Sequence, residues 1–158
     1  MNNTNLKIVI GCDHAAVDMK NSVKEELLSK GYEVLDVGTH TNDSCDYPVI
    51  AHELCTKLQD GSHDMGILIC GTGIGMSIAA NKHRGIRAAC CSEVYSAELT
   101  RRHNNANVLC FGARVVNMDT AIKLTNTFLT TEYEGQLGGR HAQRVALIEK
   151  IEKEECSK

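Results

Sequence analysis

The chain has 158 residues and carries 17 Lys+Arg against 20 Asp+Glu, a net charge of −3. That length suits one domain, spanning 1–158, with a core of its own. No block of five or more like charges occurs, which argues against a nucleic-acid or membrane surface. No apolar run approaches the roughly 18 residues that a spanning helix needs, and the first residues lack the apolar core of a signal peptide. The expectation is a cytoplasmic protein.

Taken in chain order, short apolar runs alternate with helical stretches. The pattern predicts a strand over 6–12 and a helix over 15–30, with Gly31 as its C-terminal stop. A second strand is predicted over 33–37. Pro48, the only proline, follows Asp46 and fits the first turn of a helix over 49–58. The run 65–70 is continuously apolar and predicts a strand buried on both faces. A helix over 74–82, a strand over 86–91, a helix over 93–103 and a strand over 107–112 follow. Helices over 119–129 and 140–155 close the chain.

Five strands alternating with helices predict an α/β protein. The expected form is a three-layer αβα, Rossmann-like fold with a five-stranded parallel sheet, helices on both faces and a C-terminal helix. Ligands of such sheets bind outside the carboxyl ends of the strands. The loops 11–14, 71–75, 103–107 and the segment after Phe111 are the ones expected there.

Eight cysteines are present, with no C-x-x-C pair among them. A disulfide framework and a zinc site are therefore not expected. Cys12, Cys70, Cys90 and Cys110 end or interrupt apolar runs, where thiols act as small hydrophobes. The seven histidines form no H-E-x-x-H pattern.

Gly71-Thr72-Gly73-Ile74-Gly75 fits neither G-x-x-x-x-G-K-[ST] nor G-x-G-x-x-G, because Met76 stands where the last glycine would be. It is still a strand-to-helix turn whose backbone N–H groups can cradle an anion. Cys70 sits at its mouth, where a helix start favours a thiolate. It is either a nucleophile or base, or a buried packing thiol. Asp13 and His14 fall after the first strand, and Asp13 could equally be a helix cap. His103 ends a helix, whose C-terminus favours imidazolium, while Arg101 and Arg102 oppose it; it can serve as acid or base. Arg140 and Arg144 are four apart on one helix face, where an anion would relieve their repulsion. Arg114 follows the fifth strand and could join them or pair with a carboxylate.

Several stretches together carry a resemblance: Gly11-Cys12-Asp13-His14, Asp46-Tyr47-Pro48, Cys70 through Lys82, Gly85-Ile86-Arg87-Ala88, His103-Asn104 and Gly139-Arg140-His141. Over about 7–151 the chain resembles ribose-5-phosphate isomerase type B, in a wider family that includes the galactose-6-phosphate isomerase subunits. The resemblance implies an aldose–ketose isomerase of the non-oxidative pentose phosphate pathway. It implies interconversion of ribose 5-phosphate and ribulose 5-phosphate through a cis-enediolate, without metal or organic cofactor.

The resemblance also implies roles. Cys70 would be the base; members that lack it carry glutamate at the position of Met76. His103 would open the sugar ring. Asp13, His14, Tyr47, Gly71, Thr72, Gly73, Ile74, Gly75 and Asn104 would contact the sugar, and Arg114, Arg140 and Arg144 would hold phosphate. The Thr72 hydroxyl is suited to moving a proton between substrate oxygens. A homodimer, or a tetramer, is implied, with His103 and the arginines supplied across an interface. Rival readings are a six-carbon phosphosugar isomerase (allose or galactose 6-phosphate) and a non-catalytic sugar-phosphate-binding regulator. The regulator would have lost catalytic positions, and a thiol redox protein would want C-x-x-C.

Overall fold

The computed structural model describes residues 5–157; the remaining residues of the expected 1–158 domain lie outside it. The elements run β1 (Lys7–Cys12), α1 (Val17–Ser29), β2 (Glu33–Asp36), α2 (Tyr47–Gln59), β3 (Met65–Cys70) and α3 (Ile74–Ala80). They continue with β4 (Ala88–Cys90), α4 (Val94–Asn104), β5 (Val108–Gly112), α5 (Met118–Thr130), a 3-10 turn (Glu134–Leu137) and α6 (Arg140–Glu155). All five strands pair in parallel in the order β2-β1-β3-β5-β4.

Alternation along the strands sorts side chains onto two faces. Ile8, Ile10, Ile67, Ile69, Leu109 and Phe111 pack with Val23, Leu27, Ala97, Leu124 and Phe128 of α1, α4 and α5. Val9, Leu68, Cys70, Val108 and Cys110 pack with Ala51, Leu54, Met76 and Ala80 of α2 and α3. Cys70 therefore ends its strand on the α3 face, beneath the start of that helix. Helices cover both faces, as the unbroken apolar character of β3 requires.

Most expected elements form, with local reasons for the shifts. Helix α1 begins at Val17 rather than at 15, because the Asp13 carboxylate accepts the Ala15 N–H at 2.9 Å and holds a turn. Strand β4 is confined to Ala88–Cys90, since the Ile86 N–H bonds back to His83. Helix α3 stops at Ala80, and the Asn81 side chain then clasps the Ala88 backbone through two 2.8 Å bonds. The 3-10 turn over Glu134–Leu137 has no counterpart in the expected elements.

One expectation is overturned by the topology. The loop 103–107 does not lie at the carboxyl ends of the strands. Helix α4 returns the chain from the end of β4 to the start of β5, and the two strands are parallel. His103 and Asn104 thus stand at the amino edge of the sheet. At 1.5 Å per residue, the 11-residue helix carries them about 16 Å from the opposite edge.

Candidate active site

Two clusters result, one at each edge. At the carboxyl edge, Cys12 pairs with Ile69, so Asp13 stands beside Cys70, with its N–H on the Ile69 carbonyl at 3.1 Å. Asp13 is buried and His14 half-buried. The Cys45 N–H donates to His14 Nδ1 at 3.5 Å, which puts the proton of the neutral ring on Nε2. Cys70 is nearly buried, and its sulfur accepts the Gly73 N–H at 3.1 Å. The turn is thus wrapped around the thiol, with one amide aimed at it. Thr72 is exposed, and its Oγ1 accepts the Ile74 N–H at 3.4 Å, which leaves its hydroxyl hydrogen free to donate.

Two of the glycines are required for different reasons. Gly73 has φ of 80°, a left-handed conformation that disfavours side chains. Gly75 has ordinary φ, but a Cβ there would lie 2.7 Å from the Tyr47 ring. The phenol rests on the first turn of α3, held there by the missing side chain. Gly75→Ala should keep the fold, because Tyr47 is exposed and can swing. It should cut kcat/KM by up to about 100-fold by misplacing the phenol. Circular dichroism and steady-state kinetics check both halves of that expectation.

Arg114 closes this cluster. The Ala113 and Arg114 N–H groups bond to the carbonyls of Cys70 and Gly71 at 2.8 and 3.0 Å. The guanidinium lies 3.5 Å from where a Gly71 Cβ would stand. Asp13, His14, Tyr47, Cys70, the 71–75 turn and Arg114 are therefore brought together.

His103, Asn104, Arg140 and Arg144 are brought together at the amino edge instead. His103 and His141 stack with ring centroids 4.1 Å apart and planes 1° apart. Glu134 lies beside both rings and is bound by Arg102. The Arg102 guanidinium holds the Glu134 carboxyl below the usual carboxylate range. Desolvation, reinforced by His103 and Arg140, holds His141 below the usual imidazole value. Arg101 turns inward and lies over Phe128 at 5.6 Å, so it serves packing. Asn104 opens onto a cavity of about 530 Å³ between α6 and β4, closed on the α6 side by Ile148 and Ile151.

Glu134, Arg102 and His141 were not singled out from the sequence as site residues. His141 stood inside a quoted motif, whereas Glu134 sits in an unexpected 3-10 turn and gave no spacing signal.

Four other thiols are buried in the core. Burial pushes Cys12 and Cys55 up to about 12 and Cys91 up to about 11. Burial also raises Cys110 well above the usual thiol value. These side chains are packing groups. Cys90 is exposed, contrary to its expected place in an apolar run, and its Sγ lies 3.7 Å from the Thr72 carbonyl.

Residues 8–148 match the family model described as Ribose/Galactose Isomerase. The chain belongs to that family. Within it, the chain is 49% identical over 146 residues to ribose-5-phosphate isomerase B of Escherichia coli, covering 92% of this chain and 96% of that protein. It is 42% identical to D-erythrulose-4-phosphate isomerase of Pectobacterium atrosepticum, covering 94% and 98%. Among solved structures it resembles ribose-5-phosphate isomerase B of Mycoplasma genitalium with bound ribulose-5-phosphate, with a TM-score of 0.88, 41% identity and coverage of 94% and 97%. This isomerase-family fold places the Cys70 turn at the β3 terminus and leaves the 103–104 pair on the far edge.

Proposed function

We propose that this protein is a ribose-5-phosphate isomerase, a single catalytic domain that interconverts ribose 5-phosphate and ribulose 5-phosphate in the cytoplasm. The observation that carries the reading is Cys70, with a backbone amide on its sulfur and Asp13, Thr72, Tyr47 and Arg114 around it. Its relatives support the substrate: one is named for ribose 5-phosphate, and one holds ribulose 5-phosphate.

The chemistry follows from these positions. His103 assists opening of the cyclic sugar. The Cys70 thiolate removes the proton from C2 of the open-chain aldose. Negative charge moves onto the carbonyl oxygen, and the amides of the 71–75 turn stabilise the enediolate. Thr72 moves a proton between the two oxygens, and Cys70 returns its proton to C1. The phosphate is an anchor that fixes the reacting carbons against the sulfur. Arg114, Arg140 and Arg144 hold it, while Asp13, His14, Tyr47 and Asn104 position the sugar.

His103 and Cys70 stand at opposite edges of the same sheet, so one chain does not assemble this site alone. A two-fold homodimer that sets the carboxyl edge of one copy against the amino edge of the other does so twice. Exposed apolar side chains flank both clusters. Leu137, Leu147 and Ile151 are 102, 58 and 59% exposed at the amino edge. Ile74, Ile78 and Tyr95 are 55, 57 and 67% exposed towards the other. Side chains of this size left open on one copy suit burial against a second.

Substrate length is tested directly. Ribose 5-phosphate should give the highest kcat/KM against erythrulose 4-phosphate, allose 6-phosphate and galactose 6-phosphate. The four-carbon sugar belongs in the panel because a relative is named for it. Faster turnover of a four- or six-carbon sugar would overturn the assignment. Arg140→Ala and Arg144→Ala should each raise KM chiefly, since a remote anchor is lost. Loss of kcat at unchanged KM would contradict their role.

A further inference from the structure

The geometry points to a divalent transition-metal site formed by His103, Glu134 and His141, through which a bound ion inhibits the isomerase. The inhibitory consequence rests on the reading of His103 as the ring-opening group; the site itself does not.

One ligand atom from each residue lies within 4.8 Å of the others. Glu134 Oε2 is 3.7 Å from Nε2 of His103 and 3.7 Å from Nε2 of His141. The two carboxylate oxygens are divided in their use. Arg102 donates to Oε1, which leaves Oε2 as the oxygen that faces both rings. Both Nε2 atoms face that oxygen, but the rings are stacked parallel within 1°, so one ring must tilt before the two lone pairs meet on a common ion. Arg140 Nε donates to His141 Nε2 at 3.3 Å, so that nitrogen carries a lone pair, the form a metal binds.

An ion at about 2.1 Å from each donor needs those donors about 3–3.5 Å apart. The observed separations exceed this slightly. Tilting His103 out of the stack and turning Glu134 closes the gap, because those side chains are 30 and 38% exposed, while His141, at 12%, stays in place. Two imidazoles and one carboxylate suit Ni²⁺, Zn²⁺, Co²⁺ or Fe²⁺; Mg²⁺ and Ca²⁺ would want oxygen donors throughout. Three protein donors leave coordination positions open to water. Arg102 stays on Oε1 and opposes the added charge, so binding is weak and reversible. The ion displaces the Arg140 donor from His141 and takes the His103 lone pair. His103 then no longer takes part in proton transfer.

Ni²⁺ is the probe, since it favours imidazole over the thiols that would draw Zn²⁺. Calorimetric titration of the full chain should find one site per chain. Glu134→Gln and His141→Ala should each weaken it by more than about tenfold, a factor that loss of an outer-shell partner alone already costs. Circular dichroism verifies folding of each variant. No binding, or equal affinity in wild type and His141→Ala, would overturn the site. In the assay with cyclic ribose 5-phosphate, inhibition should follow Ni²⁺ occupancy and be reversed by EDTA. Site-dependent binding without inhibition would uphold the metal site and overturn the inhibitory consequence, and with it the ring-opening role of His103.

Discussion

Cys70→Ala should lower kcat by about 100- to 10,000-fold, the range a positioned base supplies, while the substrate still binds. Cys70 ends β3 with its side chain on the α3 face, where the Gly73 N–H reaches the sulfur at 3.1 Å. Removing the sulfur leaves that amide without its acceptor, a cost of about 1–3 kcal/mol if water cannot reach it. The fold should tolerate this. The arginines and the sugar contacts remain, so KM or Kd for ribose 5-phosphate should move little. Exchange of the C2 proton with deuterated solvent reports the proton transfer itself and should vanish with turnover. Turnover at the wild-type rate would remove Cys70 as the base.

The second large effect is on stability. Lys20 is fully buried on α1, and its ammonium has three partners: Asp36 Oδ2 at 3.0 Å, the Thr39 carbonyl at 3.0 Å and His40 Nδ1 at 3.3 Å. It ties the end of β2 and the following loop to α1, alongside Cys12 and Asp13. Lys20→Met removes the cation but not the buried carboxylate, which keeps Lys24 at 3.1 Å as its one cation and the Gly38 N–H at 3.0 Å. Breaking a buried pair from one side costs about 3–5 kcal/mol. At about 2–4 °C per kcal/mol for a chain this long, Tm should fall by at least about 6 °C. A variant as stable as wild type would show that Lys24 and the Gly38 N–H satisfy Asp36 without Lys20.

The same pair predicts a pH dependence. Desolvation pushes the Asp36 carboxyl up, but hydrogen bonds from Lys20, the Gly38 N–H and Lys24 outweigh it and hold the group below the usual carboxylate range. A carboxyl depressed in the folded state stabilises fully above its unfolded value and loses that contribution as pH falls through the folded one. Wild type should therefore lose stability below about pH 4. The loss over that range should be shallower in Lys20→Met. Urea unfolding at a series of pH values measures both slopes.

Much of the fold was legible in the sequence. The run 65–70 is apolar at every position but Gly66, and only a strand buried on both faces uses such a run. Pro48 marked the start of α2, and Gly31, with φ of 85°, marked the stop after α1. Strand order was not legible, because it is set by packing between distant elements. The edge of the loop 103–107 does not depend on that order: a loop that leaves a crossover helix and enters a parallel strand lies at the amino edge, so its place there follows from the parallel alternation itself.

The candidate site divides in the same way. The Cys70 turn is one continuous motif, and its neighbours Asp13 and Arg114 follow strands adjacent to β3, so it was readable. Glu134 and His141 join His103 only through the packing of a 3-10 turn and α6 against α4, and no periodicity encodes that. The separate reasons for Gly73 and Gly75 were also invisible, since one depends on a dihedral angle and the other on a ring 28 residues earlier.

The central claim is that the Cys70 cluster of one copy and the His103 cluster of another make one active site. Subunit complementation tests it. Cys70→Ala and His103→Ala proteins, each with little activity towards cyclic ribose 5-phosphate, are unfolded together and refolded as a mixture. In a hybrid two-fold dimer one site carries both changes and the other carries neither. Random pairing should then restore about one quarter of wild-type activity. A mixture no more active than the two parents would contradict a shared site.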